Sequence, residues 1–579
     1  METSNSEWKI AEKVPSEIKS AFPELSEIVL QILWNRGITT QEQIDSFLGP
    51  DYSRDIHDPK LFSRMGEAVD RVFLALQKNE TITIHGDYDA DGVTGSAILF
   101  CSLREIMRKM GKDESKLNCF LPHREEDGYG LAIKTIDHLL AHEKPNLIVT
   151  VDCGISDKPA IDYAKSEGID VIVCDHHTLP EVIPDAILIH PLLEDKYPSK
   201  NLSGGAVAFK LACALYKEAE IKGLGSFDGQ EKWLLDLVAI SLVADCIDLR
   251  QEARALEKFG LVVLNKTKRF GLRELIKTSR TSFGEIDTHA VGFRISPRIN
   301  AAGRMDHANI AFKLLVTEDE NEAIELASVL DKHNTNRQKL TEEMFEYAKK
   351  CVAEDKSVPV IAVKQSWPAG LLGLVAGKMT HEVHMPVFAI TDKSGVYTGS
   401  GRSVEGFDIM NAIESVKDLF SKFGGHSQAC GFTIEGSAKF DEFKIRIKEY
   451  FAKNFNSDNL RRVINIDSEI KLQDLSHKLA TDLEVLRPFG SANPEPVFAS
   501  KGLMVLLAQT VGKDNKHLRL MASDPTLRAN AKFIGFNMGR MAERIRPGAF
   551  IDAAFTVQSR QWNGSSELEL KLCDVRQIK

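Results

Sequence analysis

Three short apolar runs in this chain each end on acidic or imidazole residues, and no other feature restricts its fold as strongly. Thr81–Ile84 runs into HGDYDADG, so His85, Asp87, Asp89 and Asp91 follow a β-rich stretch. Asn146–Val151 ends at Asp152, and Asp170–Cys174 ends at Asp175, His176 and His177. Helical patterns separate them at Ala68–Leu76, Val93–Met110 and Lys158–Glu167. Alternation at this spacing predicts βαβ units and a mostly parallel sheet. In an open parallel sheet the carboxyl ends of the strands share one edge, where ligands bind. The chain therefore gathers several carboxylates and imidazoles in one place.

Such a concentration of negative charge repels itself unless cations neutralise it. Oxygen ligands mixed with imidazole favour Mn²⁺ or Mg²⁺ over a thiolate zinc site. The number of candidate ligands is enough for two ions ~3.5–4 Å apart, an arrangement that activates water and stabilises in-line displacement at phosphorus. Each piece also has an ordinary explanation when taken singly. DYDADG begins like a calcium loop, but its twelfth position is Ile98 rather than Glu, and a strand precedes it. Asp152 alone suits a helix N-cap, and His176 and His177 alone suit turn residues. Together these explanations require three unrelated accidents at three strand ends.

At 579 residues the chain has room for about three to five domains. Its 43% hydrophobic and 27% charged residues are those of a globular protein. The N-terminus METSNSEWKIAEK lacks the apolar core of a secretory signal, and no run approaches a membrane span. Nine scattered cysteines without a C-x-x-C pair indicate reduced thiols in a cytoplasmic protein. The net charge of −10 is unevenly spread: residues 461–579 carry 18 basic and 13 acidic side chains, and the remainder is strongly acidic. A mildly basic C-terminal module suits phosphate binding, although ordinary surface scatter accounts for it equally well.

Residues 1–60 read as helical and peripheral, as at Glu24–Leu33 and Thr40–Leu48. Residues 206–280 are mainly helical, and a long charged helix is expected from Glu318 to about Glu354 as a connector. A second, smaller α/β module runs from Val358 to about Asn454, with the strands VPVIAV and MPVFAI and a glycine cluster at 424–431. From about Val463 regular short β runs predict a small OB-like barrel.

HGDYDADG, VTVDCG and CDHH resemble successive motifs of the DHH phosphoesterase superfamily. Further stretches are similar to the RecJ family of bacterial single-strand exonucleases: PHREEDGYG at 122–130, LSGGAVAFK at 202–210, VADCIDL at 243–249 and RINAAGRMD at 298–306. So are GSGRS at 399–403, FGGHSQACGF at 423–432 and RPFGSANPEPVF at 487–498. The resemblance runs from about residue 25 to the end. It implies an N-terminal helical segment (1–60), a DHH catalytic domain (61–317), a connecting helix (318–357), a DHHA1 domain (358–455) and an OB-fold nucleic-acid-binding domain (460–579).

The resemblance also implies a 5′→3′ exonuclease acting on single-stranded DNA in repair and recombination, with Mn²⁺ or Mg²⁺. By motif, the metal ligands are His85, Asp87, Asp89, Asp152, His176 and Asp245, the last of which spacing alone does not single out. His177 and Asp91 are assigned to the catalytic step, His177 beside the scissile phosphate as proton donor or phosphate contact. Ser400 and Arg402, with Arg124 as helper, hold the 5′ end; arginine offers a planar bidentate donor and glycine lets backbone N–H groups approach a phosphate. Arg298, Asn300 and Arg304 join the substrate residues, though a structural turn with surface arginines explains that motif as well. Gly424, Gly425 and His426 match the DHHA1 glycine–histidine motif. Phe533, Phe536 and Trp562 are candidate stacking residues on the barrel, where aromatics are more often core.

A single-strand binding protein and a helicase are implied as partners, and the chain is expected to act as a monomer away from membranes. Pro368, Cys430 and Ala492 depart from the family pattern without removing a ligand. Two alternatives stand beside this reading. One is another DHH phosphodiesterase, of the oligoribonuclease, cyclic-dinucleotide or pyrophosphatase type, which lacks this barrel. The other is a non-catalytic replication subunit, which should have lost ligands.

Overall fold

The computed structural model describes residues 6–354, 357–456, 462–524, 529–562 and 565–578. The chain divides into two compact units. One comprises Ile56–Ile247 and Leu256–Leu460, the other Met1–Asp55, Asp248–Ala255 and Arg461–Lys579.

The first unit is built on a fully parallel five-stranded sheet. Its order is Leu117–Phe120, Ile82–Gly86, Leu147–Val151, Asp170–Cys174, Ile187–Ile189. ITIHG and LIVTV are buried at every position, as expected of central strands covered on both faces. The chain starts at Ile82–Gly86, moves outward one way to Leu117–Phe120, then returns to build the other side. The strand order therefore reverses between Ile82–Gly86 and Leu147–Val151, and a crevice opens at such a switch point outside the carboxyl ends. Asp87 and Asp152 leave the sheet on either side of it. The edge strands Leu117–Phe120 and Ile187–Ile189 carry no clear alternation and are not evident from sequence.

A 35-residue helix, Glu320–Glu354, leads to the second sheet of this unit. Ala323, Ala327, Leu330, Met344, Phe345 and Ala348 form its buried stripe. The last three join a core with Leu371, Leu372, Val375 and Val387, so the connector is packed rather than bare. The sheet runs Lys422–His426, Ala429–Glu435, Val396–Arg402, Val387–Lys393, Val360–Gln365, with only the last pair parallel.

The second unit contains a closed five-stranded barrel. Phe498–Val511 pairs with His517–Asp524, which pairs with Ala529–Gly535, and Phe550–Trp562 closes the ring against Phe498–Val511. Ser565–Gln577 lies between Ala529–Gly535 and Phe550–Trp562. This is the strand order of an OB-type barrel.

The N-terminal segment is not peripheral. Glu7–Ile10 pairs in parallel with Val463–Ile466. Val29, Leu30, Ile32, Leu33, Ile44 and Phe47 share one core with the barrel residues Phe498, Leu518, Leu520 and Phe555. The apolar face of EIVLQILWN needs a partner, and the barrel provides it. Asp248–Ala255, placed by sequence in the catalytic domain, packs here too. Buried Arg254 donates to the carbonyls of Phe47 (2.7 Å), Leu486 (2.9 Å), Arg487 (2.8 Å) and Pro488 (3.1 Å). Burial, with neighbouring Arg36, pushes its guanidinium down to about 9.

Candidate metal centre and substrate site

The crevice at the switch point collects side chains from four places in the chain. Asp87 and Asp89 lie in the loop after Ile82–Gly86, and Asp91 lies in the first turn of helix Ala90–Met110. Asp152 follows Leu147–Val151, and His176 and His177 follow Asp170–Cys174. Asp245 caps the C-terminal end of helix Leu235–Ala244. Its origin on a helix rather than a strand explains why strand-end spacing does not find it.

The ligand atoms fall into three trios, each within 4.8 Å: Asp87–Asp89–Asp152, Asp91–His176–Asp245 and Asp152–His176–His177. Asp152 and His176 join the trios, with Nε2 of His176 3.1 Å from the Asp152 carboxylate and 3.6 Å from that of Asp245. Asp152 is held at φ 62°. A Cβ on Gly204 would lie 2.5 Å from that of Asp152, so the close approach requires glycine.

Burial and mutual repulsion dominate the electrostatics. Burial, then Asp89, pushes Asp87 up to about 8. Burial and Asp89 push Asp245 up to about 7. Asp91 and Asp152 are driven well above the carboxylate range by burial and by neighbouring aspartates. The donors fit a divalent pair. Asp87 Oδ1 and His85 Nδ1 are buried with no hydrogen-bond partner among the described residues, and buried polar atoms are seldom left so. The Asp87–Asp89–Asp152 and Asp91–His176–Asp245 trios would hold one ion each.

His85 belongs to none of the trios. Its Nε2 lies 3.3 Å from the Gly130 carbonyl, its ring stacks on Phe120, and burial pushes it down to about 4. Asp91, expected as a catalytic group, is heavily engaged: its carboxylate accepts the backbone N–H of Gly204 and of Gly205, both at 2.8 Å, and the hydroxyl of Ser241.

His177 is half exposed at the mouth of the crevice. Its Nδ1 meets Asp175 at 2.8 Å. Asp175 also accepts the backbone N–H groups of Ile155, His176 and His177. Burial alone would raise the Asp175 carboxyl, but the hydrogen bond and charge of His177 hold it well below the usual range. Burial opposes protonation of His177, but Asp175 outweighs it and carries the imidazole up to about 9. The resemblance assigns no separate role to Asp175, nor to Tyr129, whose hydroxyl also reaches His177.

The proposed substrate residues divide. Arg124 lies 4.1 Å over the ring of Tyr88, which stands between Asp87 and Asp89 in the chain, and its buried Nε has no partner among the described residues. Arg304 donates to the Gly370 carbonyl at 2.7 Å and is pushed down to about 9 by burial, Arg124 and Arg337. Gly370 opens helix Ala369–Val383, capped by Pro368. A Cβ on Gly373, one turn along, would meet Arg402 at 2.7 Å and Ser400 at 3.3 Å. Arg402 donates to Ser400 Oγ at 3.0 Å and to the Gly401 carbonyl at 2.8 Å. Among the described residues Arg124, Arg304 and Arg402 have no carboxylate partner, and two of them meet one helix N-terminus, a setting that favours anions.

Arg298 and Asn300 are otherwise employed. Arg298 pairs with Asp331 at 2.8 Å, and Asn300 accepts the backbone N–H of Ala90. Their motif is a helix, Ser296–Met305, not a turn. Gly424, Gly425 and His426 form an exposed edge strand. In register across Ala429–Glu435, Gly424 aligns with Ser400 and His426 with Arg402. Cys430 is buried in that intervening strand, and Ala492 takes a left-handed backbone. On the barrel Phe533 is core at 2% exposure, whereas Phe536 is 52% exposed. The Trp562 side chain lies outside the described residues. A cavity of about 690 Å³ in the barrel is lined by Leu507, Arg519, Met521, Lys532 and Phe536.

Three family models match in chain order: the DHH family N-terminal domain over 81–242, the DHHA1 domain over 355–453 and the RecJ OB domain over 466–574. The single-stranded-DNA-specific exonuclease RecJ of Dickeya dadantii is 32% identical over 578 residues, covering 96% of this chain and 93% of that protein. This chain belongs to the RecJ family. RecJ of Bacillus subtilis is 31% identical over 99% of this chain and 71% of its own length. The crystal structure of Thermus thermophilus RecJ with Mn²⁺ superposes with a TM-score of 0.82 at 28% identity, over 99% of this chain and 80% of that one. The same RecJ has also been solved with Mg²⁺. No helix among the described residues is long and apolar enough to cross a membrane.

Proposed function

We propose that this chain is a metal-dependent exonuclease that removes nucleotides from the 5′ end of single-stranded DNA. One observation carries the reading: two candidate ligand trios lie near arginines that, among the described residues, have no carboxylate partner. The relatives named for single-stranded DNA cover nearly the whole chain. Bound divalent ions supply an activated water and neutralise charge building at phosphorus.

The chain's own residues do the rest. Arg402 and Ser400 seat the terminal phosphate by charge-assisted hydrogen bonds. Arg124 and Arg304, next to Tyr88, orient the first nucleotide between that seat and the aspartates. His177, fixed through Nδ1 by Asp175, presents Nε2 to the scissile group and gives the leaving oxygen its proton. Asp91 and Asn300 hold the ligand helix in place. The barrel tracks the strand through Phe536, Arg519 and Lys532. The reading places the enzyme in the cytoplasm as a monomer, working in repair and recombination on strands presented by a helicase and a single-strand binding protein.

The test is digestion of end-labelled strands after chelation and metal add-back. The expected result is early release of 5′ label from DNA, little action on RNA, and dependence on Mn²⁺ or Mg²⁺. Early release of 3′ label, or RNA cleaved equally well, would overturn the assignment.

A further inference from the structure

The loop Asp127–Leu131 presents Tyr129 between Gly128 and Gly130, at φ 86° and 79°. Those backbone values suit glycine, and they turn the intervening ring toward the crevice. Both ends of the loop are tied down. The Gly130 carbonyl meets Nε2 of His85 at 3.3 Å, and the next backbone N–H, of Leu131, donates to Asp157 at 2.7 Å. On the other side Asp127 accepts the backbone N–H of His123 at 2.8 Å.

The hydroxyl so placed does not point into empty solvent. Tyr129 Oη donates to the backbone carbonyl of Asp152 at 3.2 Å. It also lies 3.2 Å from Nδ1 and 3.3 Å from Nε2 of His177, and the two rings meet nearly edge to face at 5.7 Å. Nδ1 of His177 is already engaged by Asp175 at 2.8 Å. The phenol therefore rests against the flank of the imidazole, nearly equidistant from its two nitrogens, and leaves the Nε2–H direction open to substrate. One end of the His177 ring is held by a carboxylate fastened to three backbone N–H groups. Its flank is braced by a phenol fastened to the Asp152 backbone carbonyl. The ring of Tyr129 remains 49% exposed, so the contact sits at the mouth where substrate must pass.

We propose that Tyr129 is a positioning residue that fixes the imidazole of His177 over the metal-binding crevice. The proposal rests on the exonuclease reading above. A single hydroxyl joins the Asp152 loop to His177, so the proton donor and a central ligand keep their relative placement as nucleotides pass. Without it the imidazole pivots about its one bond to Asp175. Misplacement of a reacting group by an ångström can reduce the rate by two orders of magnitude.

Tyr129→Phe removes the hydroxyl and keeps the ring. In full-length protein with Mn²⁺, its kcat on single-stranded DNA is expected to fall about tenfold, with KM, Mn²⁺ affinity and melting temperature unchanged. In a His177→Ala background the same substitution is expected to have no further effect, because residues acting as a unit are not additive. In metal-free protein the histidine ¹⁵N signal that His177→Ala removes should shift in Tyr129→Phe. An unchanged kcat and imidazole signal, an equal loss with or without His177, or loss of Mn²⁺ binding would each overturn the proposal. A wild-type protein inert toward single-stranded DNA would overturn the exonuclease reading instead, while the imidazole signal still decides whether Tyr129 holds His177.

Discussion

Asp91 receives the backbone N–H of Gly205 on one carboxylate oxygen at 2.8 Å, although the two residues open different helices. The other oxygen receives the N–H of Gly204, and Ser241 adds a hydroxyl. A side chain from one helix thus caps the N-terminus of another, within one of the trios that would hold metal. The carboxylate is a structural joint as much as a ligand.

Replacing Asp91 with Ala strands two buried N–H groups, each at about 1–3 kcal/mol. The variant is expected to lose roughly 3 kcal/mol or more of stability in EDTA, seen as a lower melting temperature, as well as all activity. A variant that melts with wild type and loses only turnover would show that the capping role is unimportant.

Asp152→Asn should behave in the opposite way. It replaces a carboxyl whose ionisation burial and the neighbouring aspartates already oppose with an uncharged side chain of the same shape, so its melting temperature in EDTA should equal or exceed that of wild type. Mn²⁺ at a hundred times its Kd should add about 2.7 kcal/mol to wild type and much less to the variant, with hydrolysis lost. Thermal melts with and without metal check both halves.

Arg402→Ala should remove the preference for a 5′-phosphate over a 5′-hydroxyl, with melting temperature unchanged because Arg402 has no carboxylate partner among the described residues. The measurement is kcat/KM on the two ends. Equal preference in variant and wild type would move the phosphate seat elsewhere.

Two neighbouring phenylalanines should separate binding from stability. Phe536→Ala, at the exposed position, is expected to weaken binding to long single strands by about 1–3 kcal/mol without changing the melt. Phe533→Ala, packed 5.1 Å from Phe555 in the barrel core, should cost about 3–5 kcal/mol of stability. Fluorescence anisotropy and thermal melts read the two effects.

Glu257 supplies a pH dependence away from the crevice. It is fully buried, neither carboxylate oxygen has a hydrogen-bond partner among the described residues, and burial alone lifts its carboxyl well above 4.5. A carboxyl raised on folding contributes stability that is fully present below about 4.5. That contribution is lost as pH rises toward the folded value, at up to about 1.4 kcal/mol per pH unit. Glu257→Gln should therefore flatten the fall in stability that sets in as pH rises above about 4.5. A variant with the wild-type slope would locate the titration elsewhere.

Much of the candidate crevice was legible because the residues proposed as its ligands terminate buried strands, whose continuous apolar runs stand out. Asp245 ends a helix with no marked spacing, and only its motif exposed it. Asn300 and Arg298 look like phosphate contacts in RINAAGRMD, but their partners, Ala90 and Asp331, are far away in sequence. Phe533 lies in the strand Ala529–Gly535 and Phe536 in the turn just after it, a boundary that the sequence does not mark. The N-terminal helices have an evident apolar face but nothing in their sequence says that a barrel from the far end of the chain will cover it. Tyr129 looks like a turn residue until Asp152 and His177 are brought beside it.

Gly204 contributes no atom to catalysis, yet the space it leaves is the space Asp152 fills. Even alanine there would press on the ligand, and shortening residue 152 to relieve the pressure would discard the carboxylate. No compensating change at the partner is open. In a saturating substitution scan, position 204 should therefore score as intolerant as the ligands themselves. A lineage drifting away from glycine at this point would forfeit the metal site in the same step, with no gradual route around it.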